Sequence, residues 1–75
     1  MDWLAEKVLD AIEADERMSA SWLADKRVEY GTASRLEVLR WVCNSLDAAN
    51  FTCAARAIGV SLDDLRATGR ILQKI

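Results

Sequence analysis

At 75 residues, with 52% hydrophobic and 29% charged side chains, the chain has the composition of one small folded domain, and a core of this size makes self-association a natural route to further stability. The formal net charge of -2 argues against general phosphate binding, which needs a surplus of Lys and Arg. With no histidine and only two cysteines, Cys43 and Cys53, the usual zinc spacings and histidine-dependent catalysis are excluded; no metal, cofactor or enzymatic activity is expected.

The absence of proline, with only three glycines against twelve alanines and nine leucines, predicts an all-α fold, a compact bundle of about five helices. We expect a single domain over residues 1–75, with N-terminal helices in 1–49 and a helix-turn-helix-like unit in 50–75. Residues 1–30 carry eight acids and four bases, whereas residues 31–75 carry six bases and four acids, so the acidity is concentrated at the N-terminal end. No uncharged run approaches the length needed to span a bilayer and no secretory leader is evident; a cytoplasmic protein with reduced thiols is expected.

The first segment, DWLAEKVLDAIEADERM, places Leu4, Val8, Ala11 and Ile12 on one helical stripe and acids on the other side. Asp2 is its expected N-cap. Glu13 and Arg17 are spaced to pair at i,i+4, whereas Glu6 and Asp10 repel at the same spacing, a repulsion that water or a basic partner surface would relieve. The next segment, SASWLADKRVEYG, has Ser19 or Ser21 as N-cap and Gly31 as a left-handed stop, with a thin apolar face formed by Trp22, Leu23, Val28 and Tyr30. WLAEK at residues 3–7 returns as WLADK at 22–26, an echo we read as shared amphipathic composition, because helical repeats have longer periods.

In the third segment, TASRLEVLRWVCNSLDAAN, Ser34 and Glu37 match a capping box, and Leu36, Leu39, Val42, Cys43, Leu46 and Ala49 follow at core spacing. Val38 and Trp41 lie off that stripe and suggest a second contact surface.

The last segment carries Asn50, Thr52, Ala54, Ala55, Gly59, Val60, Ser61, Leu65 and Arg66, and over residues 50–75 it resembles the C-terminal helix-turn-helix of the Fis family of bacterial DNA-binding proteins. The resemblance implies that Thr52 caps the first helix and Ala55 sits where two helices cross. Gly59 then turns the backbone with positive φ, Val60 plugs the corner, Ser61 caps the second helix and Leu65 anchors it. It also implies a DNA-facing side made of Ser61, Leu62, Asp63, Arg66, Ala67 and Arg70. That side is poor in bases for the family. Asp63 and Asp64 either stabilise the helix N-terminus or, at Asp63, accept from a cytosine amino group. Gly69 stands where a bulky apolar residue is usual; it either admits a second helix closely or weakens the last helix.

Two functional readings follow. In the first, the protein is a small non-enzymatic regulator, an inhibitor or modulator, that binds a protein partner, itself a nucleic-acid-binding protein in one version, through Asp2, Glu6, Asp10, Glu13, exposed Trp22, Tyr30 and Trp41, and Leu62. Small acidic proteins of this kind resemble, in size and composition, regulators encoded by phages and mobile elements. In the second it is a dimeric DNA-binding transcriptional regulator that reads DNA with Ser61, Leu62, Asp63, Arg66 and Arg70. A homodimer is expected in either case.

Overall fold

A computed structural model describes residues 3–73, for Trp3 the backbone only. Among these residues the fold is all-α, with α1 at Trp3–Ala14, α2 at Ala20–Tyr30, α3 at Arg35–Ser45, α4 at Ala48–Ile58 and α5 at Leu62–Leu72. None is long and apolar enough to cross a membrane. The expected cap at Asp2 lies outside the described residues.

Helix α1 turns Leu4, Ala5, Val8, Leu9 and Ile12 inward, a wider stripe than Leu4, Val8, Ala11 and Ile12; Leu9 is fully buried and Ala11 only partly so. Its chief neighbour is α4, with α2 and α3 on its flanks, and α5 packs mainly on α3. The inward residues of α4 are small: Asn50, Cys53, Ala54 and Ala55. A stripe of large aliphatics against a stripe of small residues lets the two helices interdigitate. Buried residues from all five helices join one cluster.

Serine and aspartate caps divide the chain. Ser19, Ser34, Asp47 and Ser61 each accept a backbone N–H three residues on, from Trp22, Glu37, Asn50 and Asp64, at 3.1, 3.2, 2.8 and 3.1 Å. The third segment, read as one helix through Asn50, is therefore two. Leu46 is extended (φ -83°, ψ 143°) and the Asp47 carboxylate starts α4, because an Asp side chain competes with the helix for its own backbone. In consequence Thr52 is not a cap but an interior residue of α4 whose hydroxyl donates to the Ala48 carbonyl at 2.9 Å.

Helix α3 is also rotated from the expected stripe. Val38, Trp41 and Val42 are buried, while Leu36 is exposed, as is Ala49 on α4. Trp41 is thus a core residue and not a second contact surface. The Tyr30 ring stacks on it at 4.4 Å between centroids, and Trp22 meets it at 6.4 Å in a tilted geometry. Burying an indole removes more apolar area from water than burying a leucine, which favours this rotation.

Gly59 adopts φ 85°, ψ 29°, and the amides of Gly59 and Val60 both donate to the Ala55 carbonyl, at 2.9 and 3.1 Å. Ala55 and Leu65 are buried as expected, but Val60 faces solvent instead of filling the corner. Gly31, expected to be left-handed, is right-handed at φ -61°; the left-handed stop belongs instead to Glu16, at φ 57° after α1. Gly69 is buried, and a Cβ added there would lie 2.9 Å from the Cys43 Cβ. Of its two readings, close approach of α5 to α3 is the one observed. Both cysteines are free thiols.

Substitutions at Gly59 and Gly69 are expected to differ in cost. Gly59→Ala meets no neighbour and should lose about 1 kcal/mol from the left-handed backbone alone. Gly69→Val should lose about 2 kcal/mol by driving α5 off α3. Urea unfolding of both variants with unchanged m-value is the check, and equal, negligible losses would refute the close approach.

Candidate functional site

The sequence-derived residues fall into three groups. The first is the exposed side of α1. Glu6, Asp10 and Glu13 follow at spacings of four and three and all face solvent. Arg27 of α2 reaches across, its Nη2 donating to the Asp10 carboxylate at 2.9 Å and the Glu13 carboxylate at 3.5 Å. The Asp10 hydrogen bond chiefly holds the Arg27 guanidinium above its ordinary pKa. One arginine therefore bridges two acids and eases the crowding between Glu6 and Asp10. The expected Glu13–Arg17 pair is not formed, because α1 stops at Ala14 and the turn carries Arg17 elsewhere.

Arg17 pairs with Asp15, and its Nη2 donates to the Asn50 Oδ1 at 2.7 Å and lies 3.8 Å from the Cys53 Sγ. Asn50 is the buried polar residue of the core among the described residues. The α1–α2 turn is thus tied to α4 by a hydrogen bond that satisfies an otherwise costly buried amide.

Beside the acids, an open groove of about 520 Å³ lies between the end of α1 and α2, with Glu13, Glu16 and Arg27 around Met18, Ala20, Leu23 and Ala24. Sequence reasoning did not find it. The groove follows from the left-handed turn at Glu16, for which the chain offers no glycine as a signal.

The second group is aromatic. Trp22 and Tyr30 are half-buried and Trp41 is buried, which corrects the expectation of three exposed anchors. Their mutual stacking fastens α2 to α3, Lys26 lies 5.9 Å over the Trp22 ring, and burial pushes the Tyr30 phenol up from its ordinary pKa. The large apolar side chain that α2 does present is Val28, 83% exposed.

The third group lies on α5. Ser61 is occupied as N-cap and Leu62 is half-buried against the core. The Asp63 side chain is 97% exposed, Arg66 turns back to it at 3.5 Å, and the same guanidinium lies 5.7 Å over the Phe51 ring. Arg70 is exposed in the last turn. Of the two bases on this face, one is already engaged by the acid in front of it. No family model, curated protein or solved structure matches the chain.

Arg17 holds the Asp15 carboxyl below its ordinary value of 3.8, chiefly by a side-chain hydrogen bond. A group whose folded pKa is depressed stabilises the fold fully above its unfolded value, and that stabilisation is lost as pH falls through the lower folded value. Arg17→Met should therefore raise the Asp15 pKa in an NMR titration and lower the urea midpoint at neutral pH, with the difference from the parent shrinking below pH 3.8. An unmoved Asp15 pKa would contradict the assignment.

Proposed function

We propose that the protein is a small non-enzymatic regulator, an inhibitor or modulator of the kind encoded by phages and mobile elements, that binds a basic protein partner through the acidic side of α1 and the adjoining α1–α2 groove. The observation that carries this reading is the pairing of exposed Glu6, Asp10 and Glu13 with an open, apolar-floored groove rimmed by Glu13 and Glu16. A Lys or Arg side chain has the matching character: its aliphatic stem lies on Met18 and Leu23 while its charged head meets the rim carboxylates. Arg27 occupies Asp10 and Glu13 in the free protein, so an incoming cation competes with it and selects partners that bring more than one base. A nucleic-acid-binding protein, whose own basic site would be covered, is the partner class that fits. Action in the cytoplasm, as a homodimer, belongs to the same reading.

A DNA-binding reading draws on the left-handed Gly59 turn followed by the Ser61 cap and on the Fis-like resemblance of residues 50–75. The charge on α5 weighs against it. A reading helix led by a fully exposed Asp63, with Arg66 folded onto that acid, brings repulsion where phosphate contact would begin.

Capture of partner from nuclease-treated lysate should survive in the parent chain, and paired Glu6→Lys and Asp10→Lys substitutions should weaken it by about tenfold or more. Capture that disappears with nuclease, or that ignores the reversal, would contradict the α1 site. Titration with mixed-sequence duplex should stay flat at low and high salt. Binding that falls steeply with salt and is lost in Arg66→Ala and Arg70→Ala would establish the DNA reading instead.

A further inference from the structure

We infer that the outer face of α5 is a self-complementary seam on which a second copy of this chain docks in antiparallel, two-fold fashion. This deepens the self-association part of the proposed function and is independent of the α1 contact.

Asp63 and Arg70 are seven residues apart on one helix, two turns less about 20°, so they share one angular position roughly 10 Å apart along the axis. Leu65, Gly69 and Leu72 point into the protein, which leaves Asp63 and Arg70 facing outward, with half-buried Ala67 on one side of the line that joins them and exposed Arg66 on the other. A two-fold axis midway along the seam sets each Asp63 level with the second copy's Arg70. Ala67 leaves room on one side of the centre, each Arg66 on the other side is turned to the Asp63 of its own helix at 3.5 Å, and antiparallel helix dipoles are mutually favourable.

Charge and exposure agree with this placement. The first turn of α5 is acidic, Asp63 and Asp64, and its last turn is basic, Arg70, so a parallel or shifted register sets like charges together while the antiparallel one pairs unlike charges twice. The Asp63 side chain is 97% exposed. Beside the seam Ile71 is 63% exposed, a large aliphatic side chain left in water by the monomer. A second copy removes it from water and supplies Asp63 with a cation more directly opposed than Arg66, which reaches it only at 3.5 Å.

The seam also accounts for the departure of this helix from DNA reading. The side that would enter a groove is the side the second copy covers, and Asp63 at its leading end serves pairing between copies. Both α1 faces stay available in the pair, so a partner with two basic sites meets two acceptors.

Sedimentation equilibrium of the full chain over a concentration series is the direct test. The parent chain should form a dimer. Asp63→Arg alone and Arg70→Asp alone should each weaken it by about tenfold or more, and the Asp63→Arg/Arg70→Asp double variant should regain the parent affinity, since both inter-copy pairs are restored with reversed sign. Circular dichroism verifies that each variant is folded. Ile71→Glu, at a position already facing solvent, gives a second probe and should also shift the equilibrium to monomer. A parent chain that stays monomeric, or a dimer that none of these substitutions weakens, overturns the seam. A dimer weakened by both reversals but not regained in the double variant overturns the antiparallel pairing. Partner capture through α1 is read in a separate assay, so either inference can fail alone.

Discussion

The structure depends on the packing of α1 against α4. Leu4, Val8, Leu9 and Ile12 supply the large side chains, and Ala54, Ala55 and Cys53 supply the space. With about 1.5 to 3 kcal/mol for each fully buried aliphatic side chain, this contact is a major part of what a chain of 75 residues has available to offset its conformational entropy. Burying that stripe also dictates the opposite side of α1. Glu6, Asp10 and Glu13 must face water, and the Arg17–Asn50 bond keeps the following turn on α4, so the acidic side is carried by the helix whose other side packs on α4.

Charge is then distributed by geometry and not by composition alone. Arg27 crosses from α2 to two α1 acids, and Arg66 returns to an acid of its own helix. Each arrangement occupies a base that a count of residues would assign to the surface field. The acidic side of α1 is therefore quieter in the free protein than its sequence implies, and the outer side of α5 is less basic. The second change weighs against a polyanion at α5, and the first means that a basic partner must displace Arg27 to reach Asp10 and Glu13.

Local chemistry was the legible part of the sequence. The caps at Ser19, Ser34 and Ser61 and the left-handed Gly59 form where short-range rules place them, because each depends on a few neighbouring residues. Asp47 obeys the same rule, but the apolar spacing through Leu46 and Ala49 imitates a continuous helix and hides it. Gly31 is a local expectation that fails, being right-handed, but most of what the sequence did not disclose depends on other elements. Trp41 is buried because Tyr30 and Trp22 arrive from α2 to cover it, and α3 rotates accordingly, exposing Leu36. Arg17 finds Asn50, 33 residues away, only because Glu16 turns left-handed. The groove beside α1 is a product of that turn and has no periodic signature.

The acidic side of α1 and its groove are the proposed recognition surface. Amide chemical-shift mapping with an arginine- and lysine-rich peptide tests it most directly. The account predicts that perturbations gather on Glu6, Asp10, Glu13, Glu16 and the Arg27 guanidinium as that side chain is displaced. Perturbations confined to α5, or an Arg27 signal that stays fixed at saturation, would contradict it.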